Sequence, residues 1–500
     1  MNEQLFIGVD LGTSFIKTAV YSLDGVRIAD ASAPVRDERP GPGIFIQRGE
    51  FIYESVCDCL KKTAEALGPR AKDVAGMAFT GQMAGSMGVD ADFEDVTTFS
   101  CTLDSRYLPF AESQRERFAE DMFFIGGTSA PVMCSKYEWF RTDFPEEHKR
   151  IAKYVLLNGY VIGKLARLKA KDAKIDYSLI TWTGLSDIKN RSWSEKICRG
   201  LDIEPDILPE IVNCTTVGGY LDADIAKELG LPAGVPLIVG AGDKVAGCTG
   251  AAIFDDGEMI FEAASYGAIS CHVKEPRMNA AHRNYDVIGA VDEKSFYLHK
   301  YIQGSGISTD WFVNEFMNSF KEAEELAAPI GVGSEKLFAI GLLSGSAIPF
   351  DAETKGLFMG HTWAHNKGHF YHALLESFSY DLALTLRAME EMYPEYKENH
   401  IKLIGGGAKS AIWPQMLADV TGRTFERLDR EDVAMWGAAL LAAKGVGAID
   451  DLYAAAKAHV GIKAVFTPDP EKHEAYKPYV NFYEKQLDRL HDTYKELREI

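Results

Sequence analysis

A chain of 500 residues exceeds what one hydrophobic core organises, so two or three domains are expected. Its hydrophobic fraction of 46% and charged fraction of 25% are those of an ordinary soluble globular protein. A net charge of −20, with no basic tract to offset it, excludes a nucleic-acid partner held through its phosphates.

The chain opens directly into an apolar strand, Leu5-Phe6-Ile7-Gly8-Val9, with no charged region, long apolar stretch or cleavage site before it. No segment approaches the roughly 20 uninterrupted apolar residues of a membrane span. A cytoplasmic protein without a membrane partner is therefore expected. The eight cysteines are scattered, and Cys57 and Cys59 form a Cys-x-Cys pair inside a helical pattern, unlike a zinc knuckle or a redox pair. They read as reduced, buried thiols.

Leu5 to Val9 leads through Gly12 into a second strand, Phe15 to Tyr21, and Asp24-Gly25 supplies a hairpin turn before Val26-Arg27-Ile28. A helix is expected over Glu50 to Leu67, with Ile52, Val56, Cys59, Leu60, Ala64 and Leu67 on one stripe and Gly68-Pro69 as its stop. The second half repeats the opening pattern: strand Met259 to Ala263, turn Ser265-Tyr266-Gly267, strand Ala268 to Val273. Further strands are expected around Tyr285 to Val291 and Phe296 to Ile302, and helices over His369 to Tyr393, Ala411 to Val420 and Val433 to Lys444. The charged segment from about Glu471 reads as a helical structural cap. Two related domains follow from the repeated hairpin, with a boundary near Gly240 to Phe254.

Three constellations could carry chemistry. In Gly8-Val9-Asp10-Leu11-Gly12-Thr13-Ser14, with Lys17 beyond, a strand ends in a carboxylate and a tight turn aims N–H groups and hydroxyls at one spot. Such a concavity suits phosphate oxygens, and Asp10 could hold a hydrated Mg²⁺ beside them; an ordinary hairpin is the plainer alternative. In Val239-Gly240-Ala241-Gly242-Asp243 a strand delivers a carboxylate flanked by glycines. One such Asp can orient a nucleophilic hydroxyl and accept its proton, or it can simply cap the helix that follows. Leu403-Ile404-Gly405-Gly406-Gly407-Ala408-Lys409-Ser410 has Ala where a P-loop needs Gly before its Lys, so it reads instead as a turn permitting close approach of a ring or phosphate. His361, His365 and His369 recur every four residues, but without a Glu of the His-Glu-x-x-His kind they read as loop and surface histidines and not as metal ligands.

In this order the pieces resemble the FGGY carbohydrate kinases, over about residues 5 to 445. The family's signature is matched by Gly356-Leu357-Phe358-Met359-Gly360, then His369-Phe370-Tyr371-His372-Ala373-Leu374-Leu375-Glu376, with His361 standing where an aliphatic is usual. Thr80-Gly81-Gln82-Met83-Ala84-Gly85, then Asp90 and Asp104-Ser105-Arg106, resemble the sugar-site block of xylulose kinases, and Gly240 to Asp243 the catalytic-base motif.

The resemblance implies an α/β fold of two ribonuclease-H-like domains, of the actin and hexokinase ATPase type, around an interdomain cleft. Residues 1–245 would bind sugar, 246–460 nucleotide, and 461–500 would form the helical tail. It implies Mg²⁺ and transferred-phosphate handling by Asp10, Gly12, Thr13, Ser14 and Lys17, with Asp10 as the metal ligand. Asp243 would be the general base, and Gln82, Met83, Asp104 and Asp243 would bind the sugar. ATP would further meet Ser265, Gly267, Gly306, Gly406, Gly407 and Ser410. The leading substrate is xylulose or a related ketopentose, with an erythritol-like polyol, ribulose or gluconate as alternatives. A homodimer is a possible assembly. Three positions depart from the family pattern. Ala84 replaces the usual His after Gln-Met, Thr102 replaces a common Trp, and the second phosphate loop reads Ala264-Ser265-Tyr266-Gly267. The first two bear on the sugar, the third on the nucleotide. A sugar sensor that has lost phosphate transfer is one rival reading. The chaperone and filament relatives of the fold are another, and they leave Gln82-Met83 and the signature unaccounted for.

Overall fold

The computed structural model describes residues 3–130, 132–348, 350–351, 354–498 and 500. They divide into two compact units, the first made of Met1–Phe254, Val287–Phe296 and Asp432–Val460, the second of Asp255–Asp286, Tyr297–Glu431 and Gly461–Ile500.

The sheet of the first unit contains β1 (Leu5–Leu11), β2 (Phe15–Ser22), β3 (Arg27–Pro34), β4 (Val74–Gly81), β5 (Val217–Tyr220) and β6 (Pro236–Ile238), in the order β3-β2-β1-β4-β6-β5. The pairs β1–β2 and β2–β3 are antiparallel, β1–β4 and β4–β6 parallel, and β5–β6 antiparallel. β1 is buried on both faces, which is why it reads as a continuous apolar run instead of an alternation. Leu5, Ile7, Val9 and Leu11 share one core with Ile52, Val56, Cys59 and Leu60 of the helix Gly49–Leu67, the expected stripe. Gly8 points the other way, where a β-carbon would lie 2.3 Å from the carbonyl oxygen of Met435. The absent side chain admits the helix Val433–Gly445, which buries Trp436, Leu440 and Leu441. The third strand runs well past the expected Val26 to Ile28, because its ladder to β2 continues to Pro34.

The second unit repeats this plan. β7 (Met259–Glu262), β8 (Gly267–Val273), β9 (Phe296–Ile302), β10 (Ile401–Ile404), β11 (Phe425–Leu428) and β12 (Ile462–Phe466) are neighbours in the order β9-β8-β7-β10-β11-β12. Here β7–β8 is antiparallel, β7–β10 and β10–β11 parallel, and β11–β12 antiparallel, as in the first unit. Helix Lys367–Met392 carries the second part of the signature, His369 to Glu376, and the tail is the helix Pro470–Arg498, whose Tyr476 and Tyr483 pack on Tyr380. No helix among the described residues is long and apolar enough to cross a membrane.

Candidate active site

Parallel strands place their carboxyl ends together, and in open α/β sheets ligands collect there. In the first unit Asp10 of β1 pairs with Thr80 of β4, and Ala78 of β4 with Ile238 of β6, so Asp10, Thr80 and the Gly240 turn stand at one level. The three segments leaving these strands are tied together. The Gln82 N–H donates to the Leu11 carbonyl at 3.2 Å and the Ala241 N–H to the Phe79 carbonyl at 3.2 Å. Gly240 has φ +75°, and a β-carbon there would fall 1.8 Å from the Phe79 oxygen. A β-carbon on Gly242 would collide with the Met83 side chain, 2.5 Å from its Cε. Asp10, Gly12, Thr13, Gln82, Met83 and Asp243 are thereby gathered at one sheet end. Ser14 and Lys17 lie beside them and are exposed, Lys17 opposite Asp10 on β2.

Asp243 is the first residue of the helix Asp243–Gly250, and the cap position belongs to Gly242. The capping alternative for Asp243 is thus corrected: the carboxylate sits in the first turn, where the helix dipole favours it. Its Oδ1 accepts the Lys244 N–H at 2.8 Å, its Oδ2 lies 3.4 Å from the Lys244 ammonium, and its side chain is 35% exposed. This short helix is held by close backbone approach to Val433–Gly445. A β-carbon on Gly250 would lie 2.0 Å from the Val433 oxygen, and one on Gly437 1.9 Å from the Ala246 oxygen.

Asp104 belongs to the same block through a short ladder, Gly85 opposite Cys101 and Ser86 opposite Ser100. Its side chain is 1% exposed, and Arg106 grips it with Nε at 2.9 Å and Nη2 at 2.7 Å. The guanidinium in turn lies over Trp139 at 4.7 Å. Beneath this pair is a buried lysine with no counterpart in the sequence argument. Lys136 donates to the carbonyls of Ser100 at 2.6 Å and Cys101 at 2.9 Å. Burial pushes its ammonium down to about 7, against an opposing pull from Cys101 and Asp104.

A second buried group that sequence reasoning missed is Asp176, fully enclosed, with its carboxyl pushed up by burial to about 6. It receives the hydroxyl and the N–H of Ser178, and the Ser178 oxygen accepts the Gly242 N–H at 2.9 Å. The only sequence signal was the Asp-x-Ser spacing, a pattern shared by many turns.

In the second unit a cavity of about 470 Å³ is lined by Ser265, Gly306, Gly406, Gly407 and Ser410 together with Phe320, Glu324, Tyr371, Leu375 and Trp413. Thr309, Asp310 and Lys409 also line it, so aromatic walls alternate with hydroxyl and charged groups, and its size suits a nucleoside. Gly267 is buried and does not line the cavity; its N–H donates to Ser305 Oγ at 3.0 Å. Gly306 packs on the loop before it, where a β-carbon would lie 2.5 Å from the Ala264 oxygen. The Ser410 hydroxyl accepts the N–H of Trp413 at 3.1 Å, in the first turn of the helix Trp413–Thr421.

The histidines need one correction. His361 is exposed, but His369 is buried, and its Nδ1 accepts the Asn366 N–H at 3.2 Å as half of a capping box. His365 Nδ1 accepts the Thr362 N–H at 2.8 Å.

Comparison with known proteins gives the family. The model of the FGGY family of carbohydrate kinases, N-terminal domain, matches residues 5–250, and that of the C-terminal domain matches 263–446. The xylulose kinase of Staphylococcus epidermidis is 28% identical over 499 residues, 98% of each chain. The gluconate kinase from Lactobacillus acidophilus has the same fold at TM-score 0.89 and 21% identity, covering 99% of this chain and 100% of its own. The xylulose kinase from that organism follows at TM-score 0.88 and 20% identity, with the same coverage. The fold is the two-domain, actin- and hexokinase-like ATPase fold, and the chain belongs to the FGGY family of carbohydrate kinases.

Proposed function

We propose that this carbohydrate kinase transfers the terminal phosphoryl group of ATP to a hydroxyl of xylulose or a closely related ketopentose. The observation that carries the reading is the contact of Met83 with Gly242, which joins the Gln82-Met83 block to the turn bearing Asp243. An acceptor sugar held by Gln82 and Met83 is then beside the Asp243 carboxylate, which can orient its hydroxyl. Asp104, locked to Arg106 and almost wholly enclosed, supports the rim of that block. ATP is the second substrate, with its nucleoside assigned to the cavity at Gly306, Gly406 and Ser410.

Asp243 orients the attacking hydroxyl and takes its proton late, since transfer of a phosphoryl group proceeds through a loose transition state in which positioning dominates. The N–H groups and hydroxyls of Gly12, Thr13 and Ser14, with the Lys17 ammonium, bind phosphate oxygens. The residues present fit Mg²⁺: Asp10 is a partly exposed carboxylate at a strand end, and this ion needs only one or two protein carboxylates when phosphates and water complete its shell. Bound there, it would neutralise charge on the phosphates.

The test is ADP release by the purified protein across ketopentoses, tetritols, glycerol and gluconate. A kcat/KM for xylulose or another ketopentose well above the rest supports the proposal. Preference for gluconate or a tetritol overturns the substrate, and absence of sugar-dependent ADP release from every compound overturns ATP-dependent transfer.

A further inference from the structure

The turn that delivers Asp243 is pinned by three successive N–H groups. Gly240 donates to the Cys214 carbonyl at 3.0 Å and Ala241 to the Phe79 carbonyl at 3.2 Å, acceptors that belong to the main chain. The third, from Gly242, goes to a side chain, the buried hydroxyl of Ser178 at 2.9 Å. A serine hydroxyl has one proton to give. Here that proton goes to Oδ1 of Asp176, so the lone pairs of Ser178 Oγ are left for Gly242. Asp176 also receives the Ser178 N–H at 2.8 Å and the Cys214 thiol at 3.4 Å. It therefore grips both residues that anchor the turn, Ser178 at one end and Cys214 at the other. Its Oδ2 has no hydrogen-bond partner among the described residues. A carboxylate so enclosed is costly to keep, and a neutral turn would fix a loop without it.

We propose that Asp176 and Ser178 are positioning residues for phosphoryl transfer, setting the backbone at Gly242 and through it the direction of the Asp243 carboxylate. The inference rests on Asp243 as the base. Ser178 touches neither sugar nor nucleotide in this role, so its removal affects the step that needs Asp243 aligned and spares binding.

The test compares S178A, D176A, D176N and D243N by steady-state kinetics with the preferred sugar, and by calorimetric sugar binding without ATP. S178A and D176A are expected to lose roughly 10- to 100-fold in kcat with the sugar Kd unchanged within about twofold, the split expected of misalignment. D176N retains an acceptor oxygen for Ser178 and is expected to recover most of the kcat lost in D176A. The double variant S178A/D176A should lose markedly less than the sum of the two single losses, because Asp176 acts in part through Ser178. Equal losses in kcat and sugar affinity, or an S178A kcat at the unmodified level beside an inactive D243N, overturn this inference alone. Near-normal turnover by D243N overturns the base reading and this inference with it. Should S178A fail to fold, D176N against D176A carries the same comparison, and equal kcat in those two overturns the proposal.

Discussion

Met83 lies against the α-carbon of Gly242, so that a β-carbon there would fall 2.5 Å from its Cε and 2.7 Å from its Cγ. The two residues are far apart in the chain and belong to different motifs, one read as sugar-binding and one as the approach to the base. Their contact makes a single object of both. It also explains a glycine that backbone conformation does not require, since Gly242 has φ −58° and ψ 154°, open to any residue.

G242A therefore acts through Met83 and not through backbone strain. The added methyl group displaces the thioether, and the sugar KM is expected to rise about 10-fold, while nucleotide affinity is unchanged. In the double variant M83A/G242A the space is restored, so the two effects should be markedly less than additive. Sugar titration of the four proteins measures this directly.

D243N keeps the shape of the side chain and removes its capacity to accept a proton. A fall in kcat of roughly 10²- to 10⁴-fold with sugar affinity retained is the expected outcome. Pre-steady-state ADP release and equilibrium sugar binding separate the two quantities.

Asp104 and Arg106 form a fork-to-carboxylate pair with Asp104 almost wholly enclosed. R106K offers one point charge in place of two parallel donors, and leaves a buried oxygen without its partner. A loss of about 2 kcal/mol is expected, read as a lower Tm and a raised sugar KM together. Unchanged Tm in R106K would show that solvent or Lys136 takes over the pairing.

The pH dependence of stability carries a signature of Asp176. Its carboxyl is held up at about 6 against an ordinary 3.8 by burial. Below both values the group is neutral in the folded and the unfolded chain. As pH rises through this window the unfolded chain ionises first, so the stability Asp176 contributes as a neutral acid is lost between about pH 4 and 6. The gap between the two values corresponds to roughly 3 kcal/mol. D176N does not titrate, so its Tm relative to the unmodified protein should be higher at pH 7.5 than at pH 4.5.

Much of this was legible in the sequence because it is local. The strand–turn–strand openings, the stripe from Ile52 to Leu67 and the glycines around Asp243 each declare themselves within a few residues. What was not legible is what depends on long-range packing. The helix Val433–Gly445 follows residues of the second unit yet lies on β1 through the gap at Gly8, and nothing in its uniformly apolar sequence names that strand. Lys136 and Asp176 do not stand out in the sequence because a lone charged residue ordinarily faces solvent, and only the fold reveals that both are enclosed. His369 reads as a surface residue because the polar residues before it hide a capping imidazole at the helix N-terminus.

The glycines of the second unit give the last prediction, since sequence treats Gly406 and Gly407 alike and the structure separates them. A β-carbon on Gly406 would have nothing within 4 Å of it, and the backbone there is right-handed helical, which alanine accepts. At Gly407 the same atom would meet the indole of Trp413 at 2.3 Å and the Ala263 side chain at 2.9 Å. Trp413 is a wall of the cavity and is itself buried against Phe261 and Phe378, so it has little room to retreat. G407A should therefore lower Tm and weaken ADP binding by about 10-fold or more, through a displaced indole. G406A should leave Tm within about a degree, because a surface-facing change from glycine to alanine in helical backbone costs nothing and gains a few tenths of a kcal/mol. Nucleotide titration of the two variants by calorimetry, with Tm measured alongside, distinguishes a glycine kept for packing from one kept for access to the cavity. If G407A binds ADP as tightly as the unmodified protein, Trp413 is not the wall that positions the nucleoside.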